Sequence, residues 1–365
     1  MRKKKNFERM PRWTFVLFGI AVLALSVLIV AAISEGFADW YNRTVGAFFR
    51  AVLAHMTSWI PFSLAEFALY SIPIVVVLLG VYGYRRRCDT WRATLVYLGS
   101  IVSVLSILFS LFVFGFGVGY QTSSLEEKLE LAPVEINAEN LRNTADRLVV
   151  EVNGICDEIT YGEDGFSVMP FDRKGMNDAL LAAYGPVCDR YPFIQRLNSR
   201  LKPVLASRAM SYTHITGVYT YFTGEANLNV HFPDYSLCYT AAHELAHQRG
   251  IARENEANFV AFLVCSGSEN TYLRYCAYLN LLEYVMNALY RADKEAYFEV
   301  VESVDERIVT EWRAYDAFFD EYRDSLASDV SDAVNDTYLK LNGNEAGTAS
   351  YGLVVELAVA YFAHK

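Results

Sequence analysis

Two histidines and a glutamate within five residues offer the clearest chemistry in the chain: His243, Glu244 and His247. On an α-helix, residues four apart lie one turn above each other on the same face, so both imidazoles can reach a single zinc ion. Glu244 then lies beside the open coordination position, where its carboxylate can take a proton from a zinc-activated water and later pass a proton to a leaving amine. The pattern predicts hydrolytic zinc chemistry. The plain alternative is a helix with two surface histidines and an incidental glutamate.

The residues that follow offer a third ligand. Gly250 is a plausible helix stop, and a second helix that starts after a chain reversal there would return Glu254 and Asn258 opposite the two histidines. Glu254 could complete the zinc shell, while Asn258 could orient His243 by a hydrogen bond. Glu256 is the alternative third ligand, because the phase of the second helix cannot be read from the sequence. A solvated acidic first turn, stabilised by the helix dipole, would need no metal.

This pattern resembles the gluzincin type of zinc peptidase, which uses H-E-x-x-H and a downstream glutamate. The five residues Glu254–Asn258 are similar to that group's E-x-x-A-D or E-x-x-A-N signature, so the resemblance implies a zincin-like domain with Glu254 as the third ligand. Only six residues separate His247 from Glu254, a shorter spacing than is usual in that group, which keeps Glu256 open.

Over nearly its full length the chain also resembles an uncharacterised family of bacterial membrane proteins with three spans. The resemblance is carried by an F-T-G-E-A-N stretch, a H-E-L-A-H-Q-R-G helix, an L-K-x-N-G segment and an S-Y-G segment, at 222–227, 243–250, 339–343 and 350–352. It implies the membrane architecture and zinc binding, and it favours Tyr351 as a donor to the transition-state oxyanion.

The elements that position these residues begin with three charge-free runs, at about 13–33, 67–84 and 93–120. Each is close to the roughly 20 residues that span a bilayer as a helix. Basic residues at Lys3–Lys5 and Arg85–Arg87 flank the runs on one side of the membrane, and such clusters remain cytoplasmic. The sequence therefore predicts a multi-pass protein of the bacterial cell membrane, with a cytoplasmic N-terminus and everything after residue 120 extracytoplasmic.

The charge follows the same division. Residues 1–120 hold twelve basic and five acidic side chains, a net charge of +7, and because the chain totals −10, residues 121–365 carry −17. An acidic domain of this kind excludes nucleic acid as a partner, since phosphate binding needs a basic face. We divide the chain into a membrane anchor, 1–120, and a metallopeptidase domain, 121–365. Within the anchor, 34–66 reads as an interfacial amphipathic helix or as a helix packed on the second domain.

The second domain reads as α+β, mostly helical with a small sheet. Strands are predicted at 217–222 and 227–232, and the helical pattern runs from residue 241 almost to 325. In zincin folds the edge strand before the catalytic helix pairs with an extended peptide, and residues 219–229 occupy that place. The alternative is an ordinary hairpin that covers the helix.

Together these features predict a membrane-anchored zinc metallopeptidase that cleaves peptide or protein substrates with Glu244 as the general base. The alternative is a membrane-anchored sensor or scaffold whose zinc site is structural or inactive. Glu244 favours the enzyme, because a purely structural zinc site has no need of that carboxylate.

Overall fold

Helices make up 72% of the described residues and a small three-stranded sheet accompanies them, which confirms the predicted α+β class. A computed structural model describes residues 9–86, 90–342 and 346–363. The basic residues Lys3–Lys5 and Arg87 lie outside the described residues. The described chain forms two units: one runs up to Thr122 and includes Thr220–Glu225, and the other holds the remaining residues from Ser123 onward.

The first unit contains the apolar helices. Its α-helices, in chain order, are α1 Arg12–Ile33, α2 Glu35–Tyr41, α3 Ala47–Ser58, α4 Leu64–Arg86 and α5 Trp91–Gly115. Within the described residues, three of them (α1, α4 and α5) are long and apolar enough to cross a membrane, as the sequence predicted. The third is shorter than expected, because it ends at Gly115 and the chain continues as a buried 3₁₀-helix over Gly117–Gln121.

The segment between the first two spans is nearly continuous helix, since a π-helical turn at Asn42–Gly46 joins α2 to α3. Arg50 is buried in it rather than facing water. Its guanidinium donates to the side-chain oxygen of Asn42 at 2.8 Å, to the backbone carbonyl of Asn42 at 2.7 Å and to that of Gly115 at 3.0 Å. Buried charge of this kind needs such partners, so Arg50 fixes the segment to the end of α5.

The second unit surrounds one extended hydrophobic core. Its helices are α6 Leu125–Lys128, α7 Ala138–Asn153, α8 Arg173–Arg190, α9 Ser207–Ser211, α10 Asp234–Gln248, α11 Glu254–Ser266, α12 Thr271–Ala292, α13 Lys294–Ser303, α14 Glu306–Phe319, α15 Leu326–Leu341 and α16 Val354–Ala363. Helices α10, α11 and α12 pack against one another, and almost every residue of α10 is buried. A helix that is buried on all sides is usually apolar all round. The polar side chains of α10 therefore need hydrogen-bond or ionic partners inside the protein.

The sheet consists of β1 Lys202–Pro203, β2 Gly217–Thr220 and β3 Glu225–Leu228, in the order β1-β3-β2. β1 is parallel to β3, with Lys202 opposite Asn227, and β2 lies at the edge. The second predicted strand therefore starts and ends earlier than 227–232. All four residues of β3 are buried.

Candidate metal centre

Helix α10 ends in a turn that brings the chain back along its own side. Gly250 has a φ of 97°, which favours glycine. Its N–H donates to the carbonyl of His247 at 3.0 Å, and the N–H of Ile251 donates to that of Ala246 at 3.2 Å. These bonds form a Schellman motif. The predicted stop at Gly250 is confirmed, and α11 begins at Glu254 and packs beside α10.

The reversal brings together the three residues that the sequence suggested as ligands. Oε2 of Glu254 lies 3.1 Å from Nε2 of His243 and 3.2 Å from Nε2 of His247, and their candidate ligand atoms all lie within 4.8 Å of one another. Two atoms bound to the same zinc ion at about 2.0–2.1 Å lie roughly 3.3 Å apart, so the spacing suits a metal. The histidines are only 7% and 5% exposed, which contradicts the alternative of surface histidines.

The other nitrogen of each imidazole has a fixed partner. Nδ1 of His247 lies 2.7 Å from the carbonyl oxygen of Ile251, and Nδ1 of His243 lies 2.9 Å from Oδ1 of Asn258. Because these oxygens only accept hydrogen bonds, both Nδ1 atoms carry the proton. In a neutral imidazole, Nε2 then holds a lone pair aimed at Glu254, a repulsive arrangement that a cation or added protons must relieve. The donor set fits a divalent metal.

The ionisation of the group follows from the same contacts. Burial opposes a charge on Glu254, but the charge of His247 and the hydrogen bonds of both histidines hold its pKa far below the usual range. Burial also opposes charge on His247, but the carboxylates of Glu254 and Glu244 raise its pKa to about 9. The pocket therefore favours positive charge between these side chains, as a metal ion would supply.

Glu244 lies beside His243, His247 and Glu254, which we call the triad, and it contacts the edge strand β2. Burial raises its pKa to about 7, opposed by the two imidazoles and by a hydrogen bond from the backbone N–H of Tyr219. Its Oε2 is buried and has no hydrogen-bond partner within the described residues. The backbone of Gly217 passes so close that a Cβ there would lie 2.6 Å from Cγ and Oε1 of Glu244. These contacts of Gly217 and Tyr219 were not predicted from the sequence, although a glycine in a strand can signal close backbone approach.

Asn258 lies where the helix-reversal argument expected, against His243. Its backbone carbonyl accepts a hydrogen bond from the hydroxyl of Tyr239 at 2.7 Å, which links α11 to α10. Arg249, at the end of α10, is fully buried, donates to the carbonyls of Leu245 and Leu197, and stacks on the ring of Tyr184. These contacts fix the C-terminal turn of α10, which carries His247.

Other candidates lie apart from the triad or outside what is described. Glu256 turns away from the histidines and accepts hydrogen bonds from Arg253 and the N–H of Leu125. The side chain of Tyr351 lies outside the described residues, although the 3₁₀-helix around residue 351 packs against α11.

Two more polar side chains have structural partners. Nε2 of His231 lies 2.8 Å from the hydroxyl of Tyr322. Oε2 of Glu225 accepts the N–H groups of Leu64 and Ala65 at 3.0 and 3.2 Å, so it caps the first turn of α4. Both contacts explain these residues without a substrate.

Comparison with known proteins identifies a family for the chain. No curated protein and no protein of solved structure matches the chain. A family described as a protein of unknown function, DUF3810, matches residues 41–359, which include α4, α5, the sheet and every residue of the triad. Because that match covers most of the chain, the protein belongs to the DUF3810 family.

Proposed function

We propose that the protein is a membrane-anchored, zinc-dependent peptidase with His243, His247 and Glu254 as metal ligands and Glu244 as general base. The observation that supports it most is the buried triad, whose ligand atoms lie within 4.8 Å of one another, with a second carboxylate beside it. Two histidines and a carboxylate leave one position of a tetrahedral zinc ion open, which is the donor set of catalytic rather than structural sites.

When bound, zinc would supply Lewis acidity, polarising a carbonyl and lowering the pKa of a water molecule. The chain's own residues do the rest. The Asn258 side chain and the Ile251 carbonyl fix the histidine tautomers, which leaves both Nε2 atoms free to ligate. Glu244 takes a proton from the attacking water through its buried Oε2 and passes a proton to the leaving amine.

The three apolar helices support a membrane location, and the basic clusters of the sequence favour a cytoplasmic N-terminus. With three spans, the second unit would then lie on the extracytoplasmic side. The edge position of β2 beside Glu244 supports an extended peptide as the substrate, since such a peptide can pair with an edge strand.

The test is metal analysis of the full-length protein purified in detergent, paired with a screen of a broad peptide library. We expect one zinc ion per chain and cleavage of a subset of peptides. Glu244→Gln should retain zinc and lose hydrolysis, whereas His243→Ala should lose the metal. A wild-type protein without stoichiometric zinc would refute the proposal.

The alternative is a sensor or scaffold with a structural or inactive zinc site. It predicts stoichiometric zinc and no cleavage of any library peptide. In that case Glu244→Gln would leave every measured property of the wild-type protein unchanged.

A further inference from the structure

We propose that Arg253 and Glu256 are positioning residues for the third ligand, Glu254. They bind the backbone of residues 123–125, which we call the exit segment because it follows the third apolar helix in the chain. This inference rests on the proposed metal site. It gives Glu256, the alternative third ligand in the sequence, a different role.

The need for support arises from the place of Glu254 in its helix. Glu254 is the first residue of α11, and Arg253, at the N-cap, makes no side-chain capping bond among the described residues. The first turn of a helix lacks intrahelical acceptors for its N–H groups and frays most easily. A metal ligand needs to be held to within about 0.5 Å. The ligand therefore lies at the least stable end of its helix.

Glu256 supplies that support from the opposite side of the helix. Two residues along an α-helix correspond to a rotation of about 200°, so Glu254 faces the histidines while Glu256 faces away. Oε1 of Glu256 accepts the N–H of Leu125 at 3.0 Å. Glu254 and Glu256 belong to the same turn of α11. A rotation of that turn that breaks the contact of Glu256 with Leu125 therefore also moves Glu254 relative to the histidines.

Arg253 completes the attachment. Its Nη1 donates to Oε1 of Glu256 at 2.7 Å and lies 3.5 Å from the carbonyl oxygen of Ser123. Lys128 donates to the same carbonyl at 2.6 Å. Glu256 is 3% exposed, and a buried carboxylate is stable only with such partners.

The exit segment is itself well anchored. Leu125 is the first residue of α6. Without Glu256, its N–H would be one of the donors at the start of a helix that have no intrahelical acceptor. The side chain of Leu125 is 1% exposed and belongs to the hydrophobic core of the second unit. The first turn of α11 is thus attached to a fixed point. The position of Glu254 depends on the exit segment, so displacement of that segment should weaken metal binding.

The test compares zinc affinity, by chelator competition, for the full-length wild type and three variants in detergent. Glu256→Ala should lower the affinity at least tenfold, the usual scale for losing a partner that orients a ligand, and should change the visible spectrum of the cobalt-substituted protein. Glu256→Gln keeps an oxygen that accepts the Leu125 N–H and should stay within about threefold of wild type. Asn255→Ala, in the same turn, is the matched control and should bind zinc normally.

Thermal unfolding with chelator present checks that each variant folds. If Glu256→Ala does not fold, Arg253→Ala replaces it with the same expected loss. Wild-type zinc affinity and cobalt spectrum in a folded Glu256→Ala protein would overturn the inference. A wild type that binds zinc but cleaves no peptide would refute the proposed function only, because zinc affinity still decides the positioning role. A wild type that binds no zinc overturns both.

Discussion

Replacing Gly217 by alanine perturbs Glu244, the proposed general base, without touching a proposed metal ligand. The added Cβ would lie 2.6 Å from both Cγ and Oε1 of Glu244, and 2.9 Å from its Cδ. Carbon atoms in contact normally lie about 3.5–4.0 Å apart, so the carboxylate must move by roughly 1 Å. A misplacement of that size can cost about a hundredfold in rate, equivalent to about 2.7 kcal/mol of transition-state stabilisation. We expect kcat/KM to fall by that factor with zinc content unchanged.

The assay is peptide cleavage by the full-length protein, with zinc measured on the same preparation. Gly185→Ala is the matched control: it lies in α8, and a Cβ there meets nothing within 4 Å, so its activity should equal that of wild type. Cleavage by Gly217→Ala within about threefold of wild type would refute the placement of Glu244 against this strand. Loss of zinc would instead show that the strand supports the ligands.

Three further predictions concern stability and topology. Burial raises the pKa of Glu283 from 4.5 to about 8. The stability that the protonated side chain contributes is therefore full below pH 4.5 and is lost, by about 1.4 kcal/mol per pH unit, as the pH rises towards 8. Denaturant unfolding of Glu283→Gln should lack this loss, and a variant with the pH profile of the wild type would contradict the prediction. Removing zinc with a chelator should lower the melting temperature, and zinc at 100 times its Kd should restore about 2.7 kcal/mol, whereas His243→Ala should show no response. A C-terminal tag should be cut by protease added to intact cells, and protection there with cutting in inverted vesicles would reverse the proposed orientation.

The local part of the centre could be predicted from the sequence because one turn determines it. The glycine after H-E-x-x-H predicted a chain reversal, and the Schellman turn at Gly250 is the result. The choice between Glu254 and Glu256 could not be read in advance, because it depends on the residue at which α11 begins. The residue that precedes α11, Arg253, is not a conventional N-cap, so the phase became clear only from the contacts with His243 and Leu125.

The sequence predictions were wrong where residues are buried inside the protein and are neither in the membrane nor exposed to solvent. Residues 117–120 are apolar and extended the predicted third span, yet they form a buried 3₁₀-helix that a hydropathy pattern cannot distinguish from a span. The sequence predicted a strand at 227–232, whereas β3 spans Glu225–Leu228 and all four of its residues are buried. The burial of Arg50 could not be predicted from the amphipathic pattern of 34–66, because its acceptor at Gly115 lies 65 residues away in the chain.

The candidate metal centre combines residues that are close in the sequence with a strand that is more distant. The proposed metal binding and the proposed catalysis therefore depend on different elements. The three proposed ligands fall between residues 243 and 254, and the carbonyl of Ile251 and the side chain of Asn258 that orient the histidines come from the same helix–turn–helix. Glu244 sits on that helix too, but its position depends on β2, through the N–H of Tyr219 and the backbone of Gly217. Changes in β2 should therefore alter hydrolysis at constant zinc affinity, while changes around α11 should alter zinc affinity first.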